Sequence, residues 1–378
     1  MLRKAIILKT SEKELLFRPA ECWSFDSLIS SGFPKEEIYL SSSLEETLSL
    51  LNGFSDGTVF LTFSHLAFID EEVIDSSFAL YNSCEKPVLC AFNPDSGHYV
   101  LWGEAEKIAA LLTEIKTDFS LFDKSVVAFA EYGTRKKFLS AEDPLSLFEM
   151  NKAAATAVLE KHIKNGVNFL SSDGILISPE VEIGKNTTIL PGTILKGKTV
   201  IGENCTIGPN SFIEDSIIGN STEIDSSKVR LSNVGNNVSV GPFSQLRPNT
   251  VLSDGVHVGD FVEIKNSTVG EGTAVAHLTY VGDSDVGKNV NFGCGVVTVN
   301  YDGESKNRTT IGDYSFIGCN TNLVAPVNIG NKAYTAAGST ITKDVPDGAL
   351  AIARNRQENK ENWAEKKLSA YVEKKNKK

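Results

Sequence analysis

His277 is the residue of this chain best suited to moving a proton, and cations and amides recur around it. It stands in Ala274-Val275-Ala276-His277-Leu278-Thr279-Tyr280-Val281-Gly282. Glu263 and Lys265 precede it, Arg247 precedes Lys265, and Asn291, Cys294 and the pair Asn300-Tyr301 follow. A neutral imidazole with a pKa near ~6.5 can take up a proton at ordinary pH. Two cations beside such a base suit a phosphorylated substrate that has a proton to lose. A lone histidine is more often a surface or internally satisfied side chain, so its neighbourhood carries the reading. A metal centre fits less well. Five histidines are present (His65, His98, His162, His257, His277), and a zinc centre built on imidazoles needs several of them close together. No metal is expected.

These residues meet only if the chain repeats, and it does. An aliphatic residue returns every six positions at Ile183, Ile189, Leu195, Ile201, Ile207 and Ile213. It returns again at Val234, Val240, Leu246, Leu252, Val258 and Ile264, and then at Ile311, Ile317, Leu323, Ile329, Thr335 and Ile341. This period fits neither an amphipathic helix nor a hairpin; it is the hexapeptide signature of a parallel β-helix. Three hexads make one triangular turn with the aliphatics stacked inside, so residues about 18 apart lie above one another. Arg247 then stacks with Lys265, and His277, Asn291 and Asn300-Tyr301 share their groove. Gly184, Gly202, Asn186 and Asn204 are expected where the backbone needs positive φ. The pattern stumbles over 216–234, where some spacings drop to five. It breaks again over 300–308, a polar insertion. Insertions in a solenoid project on one face and mark function.

The preceding stretch reads differently. Residues 1–140 alternate strand runs (4–8, 37–40, 58–63, 87–92) with helical ones (44–51, 71–82), which predicts an α/β domain with a parallel sheet. Ligands of such sheets sit at the strand C-terminal ends. The loop there, Lys9-Thr10-Ser11-Glu12-Lys13-Glu14, has no glycine and makes a poor phosphate cradle. A linker over 141–170 carries a helix from 144 to 165, started by Asp143-Pro144 and stopped by Gly166. The coil fills 171–350. A C-terminal arm over 351–378 has nine Lys/Arg against four Glu from Arg354 onward. It includes a short helix over 361–375 and reads as a solvated tail or cap.

Composition narrows the classes. The chain has 378 residues, is 41% hydrophobic and carries a net charge of −11, which argues against non-specific nucleic-acid binding. Six scattered cysteines without a CxxC pair suit free thiols in a reducing compartment. No apolar run is long enough to span a bilayer. The expectation is a cytoplasmic protein with neither nucleic acid nor membrane as partner.

Several segments together carry a resemblance. They are Leu246-Arg247-Pro248, Phe261-Val262-Glu263-Ile264-Lys265, His277-Leu278-Thr279-Tyr280-Val281-Gly282-Asp283, Gly287-Lys288-Asn289-Val290-Asn291-Phe292-Gly293, Val299-Asn300-Tyr301-Asp302-Gly303, Leu323-Val324-Ala325-Pro326-Val327 and Thr342-Lys343-Asp344-Val345-Pro346. With them, residues 143–354 resemble the linker and acetyltransferase half of the bifunctional bacterial family that makes UDP-N-acetylglucosamine. That family combines glucosamine-1-phosphate N-acetyltransferase and N-acetylglucosamine-1-phosphate uridyltransferase activities. The resemblance implies a left-handed parallel β-helix and a homotrimer with active sites between subunits. It implies His277 as general base, helped by Glu263. Arg247, Lys265 and Lys306 fall to the sugar phosphate, and Tyr280 and Asn291 to the sugar. Acetyl-CoA falls near Cys294, Asn300, Tyr301, Cys319, Ala337 and Arg354. Cys294 stands where the family usually has Ala, and Cys319 where it usually has Ser.

The N-terminal stretch departs further. Its first strand resembles that of the sugar nucleotidyltransferases, but Lys9-Thr10-Ser11-Glu12 replaces their Ala-Ala-Gly-x-Gly-Thr-Arg-Met. Ser64-His65-Leu66 stands where the family has a magnesium-binding Asp, and Glu142 stands near a second metal ligand, an Asn. The resemblance thus implies a shortened, degenerate nucleotidyltransferase domain without uridyltransferase activity. The expected function is acetyl-CoA-dependent N-acetylation of glucosamine-1-phosphate, towards cell-envelope precursors, by direct transfer without a covalent enzyme intermediate. The alternatives are an acyltransferase on another amino sugar or nucleotide sugar, and a non-catalytic paralogue that binds a sugar phosphate.

Overall fold

The structure is a computed structural model that describes residues 3–376 except 56, 68, 70, 95, 116–120 and 133–137. Its first compact unit, Met1–Asp215, is built on the apolar run Ala5-Ile6-Ile7-Leu8 in the strand Arg3–Leu8. Parallel strands Ile38–Ser41 and Thr58–Phe63 flank it. Ala5, Ile6, Ile7, Phe60 and Leu61 are wholly buried, as continuous apolar strands covered on both faces must be. The sheet continues through Tyr99–Glu104 and Val88–Phe92 to Val127–Glu131. It therefore has six strands, and Tyr99–Glu104 runs antiparallel to both its neighbours. The sequence predicts four parallel strands and omits both this one and Val127–Glu131. The connection from Phe92 to Tyr99 is too short for a parallel crossover, so the chain turns back as a hairpin. Helices Ala20–Ser30, Leu44–Gly53, Glu71–Ser83 and Ala105–Ile115 join the strands. Trp102 lies at the centre, with the rings of Phe33, Phe60 and Phe78 4.6–5.9 Å away and its Nε1 donating to Ser77 Oγ at 2.8 Å.

The helix Pro144–Lys164 starts where its sequence signals it. Asp143 is the N-cap, its carboxylate accepts the Ser146 N–H at 2.9 Å, and Pro144 opens the first turn. Hexads follow it within the same unit. Glu182–Ile183 pairs in parallel with Val200–Ile201, and Thr188–Ile189 with Thr206–Ile207.

The second unit, Ser216–Lys378, continues the hexad pattern as three parallel sheets and ends in the helix Trp363–Asn376. The expected fold class, an α/β domain and a left-handed parallel β-helix, is the one observed. Leu246, Val258, Ile264, Ile317 and Leu323 are at most 2% exposed in the stack, a core that no single hexad could form. Buried hydroxyls tie the corners. Thr273 Oγ1 donates to Gly287 O at 2.8 Å and accepts the Val290 N–H at 3.0 Å. Ser244 Oγ likewise bonds Gly259 O and the Val262 N–H. Each hydroxyl satisfies a donor and an acceptor that the corner leaves over.

Two expectations about the coil change. Asn186 and Asn204 do adopt left-handed backbone, with φ 61° and 56°. Gly184 and Gly202 do not. A Cβ on Gly184 would come 2.6 Å from the carbonyl carbon of Gly202, so close stacking, not backbone freedom, demands glycine there. The coil also persists through 216–234, with Ile218, Ile224, Val229 and Val234 buried. Its turns there are shorter, Ile217 standing opposite Asn233. At the insertion, by contrast, Ser284 stands opposite Thr309, and the extra residues loop outward. Among the described residues no helix is long and apolar enough to cross a membrane.

Candidate active site

The site residues of the second unit lie along the strands Glu263–Lys265 and Tyr280–Gly282 and at the two corners that flank them; successive residues of the first corner are Phe243, Phe261 and Leu278. All three adopt left-handed backbone, with φ 59°, 55° and 45°, and all three are more than half exposed. Asn210, Gly295, Asn320 and Gly338 have the same backbone sign elsewhere. Bulky apolar residues held at positive φ are strained and need a reason.

On one side of the corner, His257–Asp260 pairs with Ala274–His277, and Asp260 lies directly opposite His277. His277 Nδ1 is 2.8 Å from Asp260 Oδ1. A carboxylate only accepts, so Nδ1 carries the proton and Nε2 keeps its lone pair. The hydrogen bond from His277 holds the Asp260 carboxyl below the usual carboxylate range. Sequence reasoning gave Asp260 no role.

On the other side, Gln245, Glu263, Tyr280 and Val297 stand in register on successive strands. Arg247 Nη1 donates to Glu263 Oε1 at 2.7 Å, and that bond raises the arginine's proton affinity. Glu263, expected to help His277, is thus the partner of Arg247. Lys265 lies against Lys306 of the inserted loop. Contact with that second ammonium, then burial, holds Lys265 below the ordinary lysine value, and Asp283 opposes the fall. The structure therefore brings Arg247, Lys265 and Lys306 together. The loop that delivers Lys306 is braced at both ends. Asp302 accepts the N–H groups of Glu304 and Ser305 at 2.9 and 2.7 Å. Arg308 grips Asp285 through two nitrogens and Asn266 O through a third.

Between the cations and Tyr280 lies Asp283, 4% exposed. Asn266 and Asn300 donate to its two oxygens, and the Asn300 amide also reaches the Tyr280 hydroxyl at 3.4 Å. A Cβ on Gly282 would strike both the Tyr280 ring and the Asn300 amide, so glycine opens the notch they occupy. Burial works to raise the Asp283 pKa, but the two asparagine bonds and the lysines outweigh it and leave it lowered.

The remaining expected residues run along the coil from His277. The carbonyls of His277, Cys294 and Cys319 accept the N–H groups of Gly295, Asn320 and Gly338 on successive turns, at 3.4, 2.8 and 2.8 Å. His277, Cys294 and Cys319 therefore occupy equivalent places. Arg354 Nη1 caps Ala337 O at 2.8 Å. Side chains along this strip are small by necessity: a Cβ on Gly293 would meet Cys319, and one on Gly318 would meet Ala337. Asn291 is exposed between Ala274 and Phe316. Tyr301 turns its hydroxyl to Gly303 O at 2.6 Å, away from the Asn300 cluster.

The strand ends of the first unit present a different picture. Ser64 Oγ accepts the N–H groups of Thr10 and Ser11 at 2.9 and 3.1 Å. Thr10 Oγ1 meets His65 Nδ1 at 2.6 Å. Lys9 is paired with Glu12 and Glu21 at 3.0 and 3.5 Å. Burial pushes the His65 pKa down to about 4. Among the described residues no three His, Cys, Asp or Glu side chains converge as metal ligands.

Comparison with known proteins adds the following. Residues 180–215 match the family described as bacterial transferase hexapeptide (six repeats). The bifunctional protein GlmU of Caldanaerobacter subterraneus subsp. tengcongensis is 51% identical over 286 residues, which are 72% of this chain and 62% of that protein. The bifunctional protein GlmU of Clostridium acetobutylicum is 50% identical over 232 residues, 61% of this chain and 51% of that protein. The solved structure of LpxA from Acinetobacter baumannii is 20% identical and covers 49% of this chain and 71% of that one, with a TM-score of 0.30, too loose a match to bear on activity. The chain spans between about half and three-fifths of the length of the curated relatives it matches. By sequence, then, the chain is a relative of the bifunctional GlmU proteins whose coil carries the hexapeptide repeats of bacterial transferases.

Proposed function

We propose that this chain is an acetyl-CoA-dependent N-acetyltransferase that converts glucosamine-1-phosphate to N-acetylglucosamine-1-phosphate, in the cytoplasm. The observation that carries the reading is one strand layer of the coil, Glu263–Lys265 and Tyr280–Gly282, with the His277–Asp260 pair at the corner before it and the cations Arg247, Lys265 and Lys306 at its far end. The cations take the phosphate, with Arg247 held ready by Glu263. Tyr280 and Asn291 contact the sugar. The strip from His277 past Cys294 and Cys319 to Ala337 and Arg354, with Asn300 and Tyr301 beside it, takes acetyl-CoA. Its run of small residues supports the fit of an extended chain. Acetyl-CoA supplies an activated acyl group.

His277 does the proton work. Its Nε2 removes a proton from the substrate ammonium, Asp260 stabilises the imidazolium that results, and the freed amine attacks the thioester carbonyl. As the amide forms, the attacking nitrogen sheds a second proton, the departing thiolate takes it up and leaves as the thiol, and the imidazolium gives the first proton to solvent, so neither cysteine forms an acyl intermediate. A base so placed contributes roughly 10²–10⁴ in rate.

Two further parts belong to this reading. The exposed ridge Phe243, Phe261 and Leu278, with the two phenyl rings stacked at 5.6 Å, is covered by a neighbouring copy in a homotrimer. The crevice of the first unit has no uridyltransferase activity, because Ser64 already occupies the amides that would meet a phosphate.

Free-thiol release from acetyl-CoA tests the reading with glucosamine-1-phosphate, other amino sugars and nucleotide sugars, in wild type and His277→Ala. Release with glucosamine-1-phosphate that vanishes in the variant supports it. Release with a different sugar alone, or with none, sinks it.

A further inference from the structure

Asp283 is the most enclosed charge of the site, and the chemistry above gives it no task. Its surroundings come from four directions. Lys265 lies on the preceding turn, and its carbonyl accepts the Asp283 N–H at 3.0 Å. Lys306 comes from the inserted loop, and the Asp283 carbonyl accepts the Thr309 N–H at 3.1 Å just beyond it. Asn266 and Asn300 hold its two oxygens, and Tyr280 closes the notch through Asn300. Arg308 also feels its charge. Arg247, with its own partner Glu263, adds a third positive charge to Lys265.

This placement matters because two ammonium groups in contact repel. Without a counter-charge, one of them gives up its proton or swings into solvent, and the anion site loses a donor. A buried carboxylate on the neighbouring turn opposes this through its charge, and the two amide hydrogen bonds together with the lysines keep it ionised. One of those amides belongs to Asn300, on the side assigned to acetyl-CoA.

We infer that Asp283 is a positioning residue shared by the two substrate sites: its carboxylate keeps Lys265 and Lys306 together and charged for the phosphate while it fixes the Asn300 amide beside Tyr280. The inference rests on the acetyltransferase reading for the identity of the two substrates, but its effect on the lysines does not need turnover.

The experiment compares full-length wild type with Asp283→Asn, which removes the charge, and Asn266→Ala, which removes one hydrogen bond and no charge. Competitive labelling with acetic anhydride across a pH series, read by peptide mass spectrometry, reports the protonation of Lys265. KM for glucosamine-1-phosphate and for acetyl-CoA is followed over the same series. In Asp283→Asn the labelling midpoint of Lys265 should fall by about one pH unit. KM for the sugar phosphate should begin to rise at correspondingly lower pH, and KM for acetyl-CoA should rise several-fold at every pH through Asn300. Asn266→Ala should leave the Lys265 midpoint in place. An unmoved midpoint in a folded Asp283→Asn protein overturns the inference, as does an equal shift in Asn266→Ala. If Asp283→Asn does not fold, Lys306→Met carries the test. That variant must also leave the Asn300 amide in place, so KM for acetyl-CoA stays as in wild type while Asp283→Glu, which keeps the charge but displaces it, raises KM for acetyl-CoA at an unmoved Lys265 midpoint; an unchanged KM in Asp283→Glu overturns the inference. Wild type that labels as expected but acetylates no glucosamine-1-phosphate removes the proposed function and leaves the role of Asp283 towards the lysines standing.

Discussion

The strand-end crevice of the first unit and the coil site of the second hold similar groups and use them in opposite ways. In the crevice, backbone N–H donors, a lysine and a histidine stand where an open α/β sheet binds its ligand. Each is already engaged: the Thr10 and Ser11 amides by Ser64, the His65 ring by Thr10, Lys9 by two glutamates. At the coil site, Lys265 faces another cation, Lys306, and His277 is engaged at Nδ1 only. Donors paired within the protein stabilise a fold. Donors held against like charge are ready for an anion from outside. The difference shows that the presence of suitable residue types says little until their partners are known.

Ways to break this contrast begin at the coil site. His277→Ala should lower kcat for acetyl transfer roughly 10²–10⁴-fold with an unchanged melting temperature, because the side chain is 61% exposed; steady-state kinetics and a thermal melt check both halves. Lys306→Ala should raise KM for the sugar phosphate on the order of 10–100-fold with a smaller change in kcat, and the loss should deepen with salt. A normal KM would remove the inserted loop from the anion site. Asp260→Asn keeps the shape and frees the tautomer, so kcat should drop about 10–100-fold, with KM little changed.

The crevice gives smaller effects. Ser64→Ala strands two amides and should destabilise the chain by about 1–3 kcal/mol, seen in denaturant unfolding. Calorimetry with UTP and magnesium should still show no binding; a gain of binding would mean that Ser64 alone closes the site.

Acid pH separates the regions last. Burial holds His65 and His162 down at about 4, and neither ring nitrogen of His162, 2% exposed, has a hydrogen-bond partner among the described residues. Between an ordinary histidine pKa and 4 the unfolded chain binds more protons, so stability is full above about 6.5 and falls as pH drops towards 4. His162→Leu should flatten the pH dependence of the melting temperature over that window. An unchanged slope would show that His162 contributes nothing to it.

Much of this was legible in the residues. The six-residue recurrence from Ile183 to Ile341 is a property of single side chains, each of which must be apolar to stack, so it is read without knowing any contact. The Asp143-Pro144 helix start is equally local. The inserted loop announces itself because Asn300 to Arg308 lack the period. The antiparallel strand Tyr99–Glu104 was missed because its apolar run looks like any buried strand, and only the short link from Phe92 decides its direction.

By itself, then, the sequence determined a coil, its interruption, and a set of residues able to bind phosphate and move a proton. The tertiary structure alone decided who partners whom. An even 18-residue turn would put Gly259 opposite His277. The turn here is one residue shorter and puts Asp260 there instead, while Glu263 goes to Arg247. Likewise, nothing in the order of residues says that Asp283 is buried against Asn266 and Asn300. The reason is physical. Periodicity follows from each side chain's own preference for core or solvent. Pairing across turns depends on the exact length of every corner, and a change of one residue exchanges one carboxylate for another.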